Sequence, residues 1–297
     1  GGCSPGLRAP GLAAPEAAEA HHARRGENAS FLLPVDDGPP LVLKVWVRGA
    51  ALESMQRQAA TVERIRQQTS IPTPRWLRAS PPDDLIDYPY VVMEYADGDD
   101  ADALWPDLAT EDRHRIVRGY AELLRQLHDS GLQLPGPASA EAWAATLDEA
   151  FTRDLTALRE QGWLGAERLS RTEALLRDGD SLRDAGSLAP VHYDAQPHNL
   201  RVDPQTMQIT ALLDFDNATM APPFTDARDL TLSVFLKDPD SGTAFWEEYG
   251  PLDEPRRRLL ELHCLQRLLS VLAAYEGPAP GGWNAGTADT VLRRLEA

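Results

Sequence analysis

Long apolar runs are missing from this sequence: no stretch of eighteen or more apolar residues occurs, which excludes a membrane-spanning helix within it. The first twenty residues also lack the apolar core of a secretion signal. Cysteine is nearly absent. Cys3 and Cys264 are the only two, too few for a disulfide framework or a multi-cysteine metal centre, and these absences together lead us to expect a soluble protein of a reducing compartment, the cytoplasm. Basic charge is in short supply as well: 29 Lys and Arg stand against 46 Asp and Glu, a formal charge of −17. Such a field repels nucleic acid and anionic membranes, so neither is expected as a partner, and it attracts a cationic ligand. The same acids also serve simply to keep a surface soluble, and charge therefore selects no substrate. No internal repeat is visible, and His128, His198, His263 and Cys264 have no partners at metal-ligand spacing, so they read as structural.

What the chain does have is material for one large core or two modest ones: 297 residues, 42% hydrophobic and 25% charged. Residues 1–20, rich in Gly, Pro and Ala without an amphipathic period, read as a loose lead-in. Apolar runs over 31–35 and 41–47 flank the turn-forming Asp36-Asp37-Gly38-Pro39-Pro40 and predict a hairpin or meander. Residues 51–68 contain neither Gly nor Pro and set Met55, Val62 and Ile65 at helical spacing, with Gln58 on the same face. Ile71-Pro72-Thr73-Pro74 ends that helix, because proline cannot continue it and disfavours α geometry in the residue before. Residues 88–94 are a third strand candidate with Pro89 near its start, and Ala96-Asp97-Gly98-Asp99-Asp100 reads as a linker. Beyond it helices dominate. Thr110 is expected as an N-cap ahead of Glu111, Asp112 and a buried stripe of Ile116, Tyr120, Leu123 and Leu127, which His128 closes. A polar helical stretch over 140–184, strand fragments near Val191, 200–202 and 209–215, and late helices over 225–236 and 255–275 follow, the last broken by Gly277-Pro278-Ala279-Pro280-Gly281-Gly282. Strands plus one helix, a linker, then a mostly helical half predicts an α+β chain of two lobes, 21–95 and 96–297.

The segment richest in chemistry is Val191-His192-Tyr193-Asp194-Ala195-Gln196-Pro197-His198-Asn199-Leu200, followed by Leu212-Leu213-Asp214-Phe215-Asp216. Four residues separate Asp194 from Asn199, and a further carboxylate lies fifteen beyond Asn199 at the end of an apolar run. Phosphoryl transfer needs such a set: one carboxylate and one amide oxygen for magnesium beside the ATP phosphates, and a second carboxylate to orient the attacking hydroxyl. An Asn in place of a third Asp limits the negative charge facing the phosphates. Independently, Leu41-Val42-Leu43-Lys44-Val45 places one lysine in an apolar strand, where a buried ammonium is costly unless something anionic meets it. An edge-strand lysine snorkelling to water is the lesser alternative for Lys44 taken alone. Asp216 reads either as a metal or substrate ligand or as a solvated turn acid. The acidic run over 97–102 fits a solvated linker better than a substrate clamp.

These residues resemble the aminoglycoside phosphotransferase and choline kinase family, relatives of the protein kinases. The family's His-x-Asp-x-x-x-x-Asn loop matches His192, Asp194 and Asn199, and its apolar-Asp motif matches Asp214. The resemblance implies a bilobal protein-kinase-like fold, with a small β-rich N-lobe carrying one main helix and a larger, mostly helical C-lobe. It implies Asp194 as catalytic base or hydroxyl-orienting residue, His192 as a brace for the loop, and Asn199 and Asp214 as magnesium ligands. Lys44 would hold the ATP phosphates. Gly26-Glu27-Asn28-Ala29-Ser30 resembles the family's loose nucleotide loop, which adds Asn28 and Ser30, and Met93, Glu94, Tyr95 and Ala96 fall where the interlobe hinge bonds adenine through its backbone. Asp226-Ala227-Arg228-Asp229-Leu230 resembles a later acidic segment and suggests Asp229 as a support for the catalytic loop. The implied activity is transfer of the ATP γ-phosphate to a hydroxyl of a small molecule. The acceptor reads equally as an aminoglycoside or other antibiotic, a biosynthetic intermediate, a sugar, or a peptide serine or threonine.

The chain also departs from the pattern. Gln58 stands where the family has a helix glutamate for the lysine; Glu53 and Glu63, five residues to either side, fall roughly 140° around the helix and do not replace it. The Gln58 side-chain oxygen is expected to accept from Lys44 without contributing a charge. Tyr193 and Gln196 take the places of the commoner Gly and His. The protein-kinase Arg before the catalytic Asp, the Asp-Phe-Gly triplet and an Ala-Pro-Glu segment are absent, which argues against a regulated protein kinase. Two rivals remain. Asp214-Phe215-Asp216 superficially resembles the Asp-x-Asp signature of haloacid-dehalogenase-type phosphatases, but only about eighty residues follow it, too few for an ordinary doubly wound domain. A nucleotide-binding pseudokinase is motivated by Gln58, against which stand the retained Asp194, Asn199 and Asp214.

Overall fold

A computed structural model describes residues 28–47, 51–162, 165–177, 186–274 and 285–295. The lead-in expected over 1–20, the Gly26-Glu27 half of the expected nucleotide loop, the end of the polar helical stretch and the break over 277–282 lie outside these residues. The first half is an antiparallel sheet of β1 (Asn28–Leu33), β2 (Leu41–Trp46), β3 (Trp76–Ser80) and β4 (Tyr90–Glu94) in the order β1-β2-β4-β3. The turn at Asp36 to Pro40 closes the predicted hairpin, with Ser30 opposite Lys44 and Val91 opposite Lys44 on the other side. Lys44 thus lies in an interior strand and is 6% exposed. The edge-strand reading of this lysine is overturned.

Helix α1 (Ala51–Gln68) has the predicted bounds and buries Met55, Gln58, Thr61, Val62 and Ile65, one apolar stripe with a single amide in it. Its end is fixed at Ile71 to Pro74, where the Pro72 carbonyl accepts from the Leu212 amide at 2.8 Å. That backbone bond joins the first half to β8 (Ile209–Leu212), which forms a small sheet with β7 (Leu200–Val202) and β5 (Asp99–Asp100) in the order β5-β7-β8. A separate ribbon pairs β6 (Ala189–Val191) with β9 (Thr219–Ala221). The His192 to Asn199 loop leaves β6 and enters β7, and Asp214 follows β8, so two short ribbons bring the chemistry-bearing turns together.

Around these ribbons lie α2 (Ala101–Leu104), α3 (Thr110–His128), α4 (Ala140–Gln161), α5 (Ala166–Arg177), α6 (Ala227–Leu230), α7 (Pro239–Tyr249), α8 (Glu254–Ala274) and α9 (Ala285–Leu295). One hydrophobic cluster runs from Val62 and Ile65 of α1 through α3, α4 and α8 to Leu292 of α9, while Trp46, Met55 and Val91 form a small second one. Among the described residues no helix is long and apolar enough to cross a membrane.

Several expectations are corrected. Thr110 is the first helical residue of α3, not its cap: Ala109 occupies that position, and its carbonyl takes the amides of Asp112 and Arg113. Leu123 is only half-buried, and Leu124 carries that part of the stripe. The 96–100 linker ends as β5, whose Asp100 carboxylate caps α2 through the Asp102 amide at 2.9 Å. The polar stretch from Ala140 is two helices, α4 stopping at Gly162 in the left-handed region at φ 69°. The expected helix over 225–236 is a short α6 followed by a π turn at Thr231–Phe235. Strands β3 and β9 and helices α2, α7 and α9 are additions to the expected elements. β3 exposes Leu77, Arg78 and Ala79 in succession and so shows no alternation to read.

Gly98 joins β4 to β5 with φ +104°, and a Cβ there would lie 2.7 Å from Thr210 Oγ1 and 2.8 Å from the Val202 carbonyl oxygen. Gly98→Ala is therefore expected to destabilise the fold by about 1–3 kcal/mol, through backbone strain and the clash together. Denaturant unfolding of the two proteins checks this; equal midpoints would show that the connection relaxes freely.

Candidate active site

The loop after β6 is held from beneath. Tyr193 has φ 63°, a left-handed conformation that costs a non-glycine residue roughly 1–2 kcal/mol, and five contacts offset that cost. The Asp226 carboxylate accepts from the His192 amide at 2.9 Å and from the Tyr193 amide at 2.6 Å. Arg228 donates to the Tyr193 carbonyl at 2.9 Å and lies over the Tyr193 ring at 4.6 Å. On the far side the Tyr193 hydroxyl meets His263 Nε2 at 3.2 Å. Burial and the positive charges of Arg228 and Arg267 hold His263 well below the usual histidine range, so it is neutral and that nitrogen accepts from Tyr193 and from Arg228 Nη1 at 3.1 Å.

His192 is fully buried. Its Nε2–H donates to the Leu213 carbonyl at 2.8 Å and its ring packs against Phe215 with centroids 4.7 Å apart. The histidine thereby ties the loop to the chain just before Asp214. A second tie is the Leu213 amide, which donates to the Asn199 carbonyl at 2.8 Å. Within the loop, Asn199 Nδ2 donates to the Asp194 carbonyl at 2.8 Å and to Asp194 Oδ2 at 3.3 Å, and Gln196 Nε2 donates to Asp194 Oδ1 at 2.7 Å. Asp194 itself remains half-exposed, oriented by two amides and open to a ligand.

Lys44 reaches this array from the sheet. Its Nζ lies 2.9 Å from Asp214 Oδ1 and 3.1 Å from Asp216 Oδ2. Burial works against the ammonium, but the two carboxylates hold it charged, with its pKa raised. Burial would likewise push Asp214 up, yet Lys44 more than offsets this and brings it down to about 2. For Asp216 burial and the facing Asp214 prevail over Lys44 and push it up to about 6. Asn28 Nδ2 donates to Asp216 Oδ2 at 2.7 Å. Gln58 does not accept from Lys44 as expected; its Nε2 donates to Asp214 Oδ1 at 3.2 Å. The reason is electrostatic: a carboxylate beside the amide draws its donor end.

Eight residues singled out from the sequence therefore form one connected cluster: Asn28, Lys44, Gln58, His192, Asp194, Asn199, Asp214 and Asp216. Ser30 lies beside Lys44 in the strand register, and Met93, Glu94, Tyr95 and Ala96 run out of β4. Among the described residues no side-chain hydrogen bond joins these five to the cluster; the Glu94 carboxylate instead pairs with Arg75 at 2.8 Å. Direct support of the loop falls to Asp226, while Asp229 reaches it through Arg228 at 3.0 Å and also pairs with Arg267. Asp226, Arg228 and the His128 that bonds Asp226 at 2.9 Å are supports of the loop that sequence reasoning misses. The available signal is two acids and an arginine in a short stretch that is otherwise small or apolar, charges that burial would force into pairs.

The donor set suits magnesium. Asn199 commits its amide nitrogen to Asp194, which leaves its side-chain oxygen available to a cation, and its backbone carbonyl is bonded to Leu213, next to Asp214. Among the described residues no group of three His, Cys, Asp or Glu side chains forms a metal cage, and magnesium beside a phosphate chain takes one or two protein oxygens in place of such a cage.

A model of the family described as "Phosphotransferase enzyme family" matches residues 22–281. Two curated relatives, aminoglycoside 3'-phosphotransferases of Streptomyces ribosidificus and Streptomyces fradiae, are 25% and 26% identical to this chain, over 77% and 78% of it and 86% of each relative. Among solved structures, an ADP-bound aminoglycoside phosphotransferase superposes with a TM-score of 0.62 at 16% identity, covering 90% of this chain and 89% of that one. A ternary complex of another such enzyme with streptomycin and ATP gives 0.64 at 17%, covering 87% and 86%. A macrolide 2'-phosphotransferase from Brachybacterium faecium gives 0.60 at 17%, covering 91% and 89%. These likenesses bear out the expected α+β, protein-kinase-like fold.

Burial would raise the Asp226 carboxyl, but the hydrogen bond and charge of His128, with further help from His192, hold it below the ordinary carboxylate range. Its stabilising contribution is then complete at neutral pH and is lost as pH falls through the folded-state value. Asp226→Asn is expected to cost about 2–4 kcal/mol in denaturant unfolding at neutral pH, with the gap to the parent narrowing in strong acid. A gap that stays constant with pH would contradict an ionised Asp226.

Proposed function

The chain belongs to the phosphotransferase enzyme family, and from that premise we propose that it moves the γ-phosphate of ATP, with magnesium, to a hydroxyl of a small cationic acceptor such as an aminoglycoside. Transfer of phosphate to a hydroxyl is the activity of the family. The observation that carries the specific reading is the meeting of Lys44, from the sheet, with Asp214, whose neighbour Leu213 is bonded at both its amide and its carbonyl to the loop that holds Asp194. Residues 21–95 would form the nucleotide lobe and 96–297 the lobe carrying the catalytic loop and the acceptor. Asn28 and Ser30 would flank the phosphates, and the backbone of Met93, Glu94, Tyr95 and Ala96 would receive the base. A cytoplasmic setting, where ATP is abundant, goes with this reading.

Asp194, aimed by Asn199 and Gln196, would accept a hydrogen bond from the acceptor hydroxyl and take up its proton as phosphate is transferred. Lys44 would hold phosphate oxygens in line, and Asn199 and Asp214 would hold the metal. Magnesium, when bound, neutralises charge on the phosphate chain. Most of the rate would come from positioning and charge compensation rather than from covalent chemistry. The names of the two curated relatives support a cationic acceptor, with which the formal charge of −17 is compatible without selecting it.

Phosphate transfer from labelled ATP or GTP to a panel of aminoglycosides, neutral hydroxylated antibiotics, sugars and a serine peptide tests the acceptor class, with the highest rates expected for the aminoglycosides. Asp194→Ala is expected to lower kcat by roughly 10²–10⁴-fold, while nucleotide affinity measured by titration changes far less. Equal losses in turnover and in binding would overturn the role given to Asp194. Tight nucleotide binding without transfer to any acceptor would favour the pseudokinase.

A further inference from the structure

A lysine that hands its charge to phosphate needs an anionic anchor of its own, because a buried ammonium left without one is costly and loses its aim. Helix α1 packs beside Lys44 but offers none. Gln58 is neutral and spends its donor on Asp214, whereas Glu53 and Glu63 are exposed, the first 3.9 Å from Arg57 and the second bonded to Gln67. Asp214 would hold a metal with the same carboxylate whose Oδ1 is already shared between Lys44 and Gln58, which leaves it a weaker anchor for the lysine. Asp216 is placed to serve instead, since its Oδ2 accepts from Lys44 at 3.1 Å and from Asn28 of β1 at 2.7 Å, so the carboxylate is gripped from two strands of the sheet at once. The Gln58 Oε1 and Asp216 Oδ1 atoms are buried with no hydrogen-bond partner among the described residues, so neither is committed to another structural contact.

We propose that Asp216, steadied by Asn28, is the positioning residue for Lys44 in this chain, standing in for a carboxylate on α1, while Gln58 orients Asp214. The proposal rests on the phosphotransfer reading of the site. It makes the second acid of Asp214-Phe215-Asp216 a partner of the lysine and not a metal or acceptor ligand.

The test compares the full-length parent with Asp216→Asn, Asn28→Ala and the double variant Asp216→Asn/Gln58→Glu, each checked for folding by thermal unfolding. The first readout needs no nucleotide: the rate at which an amine-reactive acylating reagent labels Lys44, followed by mass spectrometry. Labelling is expected to be several-fold faster in Asp216→Asn and in Asn28→Ala and to return towards the parent rate in the double variant. The second is kcat for phosphate transfer, expected to fall roughly tenfold or more in Asp216→Asn, with the magnesium requirement unchanged, and to recover in the double variant. Unchanged labelling in both single variants would overturn the proposal, as would a raised magnesium requirement with no recovery in the double variant. Should Asp216→Asn fail to fold, Asn28→Ala decides by its labelling rate. Should the parent transfer no phosphate, the phosphotransfer reading falls while the labelling series still judges what holds Lys44.

Discussion

The buried ammonium of Lys44 is the constraint on which the rest is arranged. It lies in an interior strand at 6% exposure, and such a charge is tolerated only against compensating charge. The compensation comes from the other end of the chain, from Asp214 and Asp216. The pair of carboxylates in turn must be presented on a rigid turn. That turn is rigid because Leu213, directly before it, is bonded on both sides of its peptide to the loop carrying Asp194 and Asn199. This electrostatic need ties the sheet to the helical half, beside the Pro72–Leu212 backbone bond and the apolar cluster that α1 shares with α3.

The loop that carries Asp194 meets a second constraint from within. Tyr193 occupies a backbone region that suits glycine, and the structure offsets the strain with charge instead of a smaller side chain. Asp226 holds two successive amides, Arg228 holds the carbonyl and covers the ring, and a neutral His263 receives the hydroxyl. The aromatic side chain therefore anchors the loop to α8, a tie that glycine would not supply.

Much of this is legible in the sequence because it depends on local pattern. The bounds of α1 follow from a clean apolar period ended by Pro72 and Pro74, and the β1–β2 hairpin from two apolar runs around a turn-forming cluster. The cluster of Asn28, Lys44, Gln58, His192, Asp194, Asn199, Asp214 and Asp216 is legible from residue type, spacing and family resemblance. What cannot be read depends on tertiary partners. The orientation of the Gln58 amide is set by Asp214, 156 residues away in sequence. Asp226 and Asp229 look alike in the chain, and only the packing of α6 against the loop and α8 separates the one that touches backbone amides from the one that pairs with Arg228 and Arg267. Strand β3 escapes notice because most of it faces solvent, so its pairing with β4 and not a hydrophobic pattern makes it a strand.

The backbone bond between Leu212 and Pro72 has a mechanical meaning. It joins the segment that terminates α1 to the strand end two residues before Asp214, while Gln58, farther up the same helix, touches that carboxylate directly. Helix and acid are held at two points, one past the helix end and one from its middle, so a displacement of α1 relative to Asp214 would have to break or stretch both bonds.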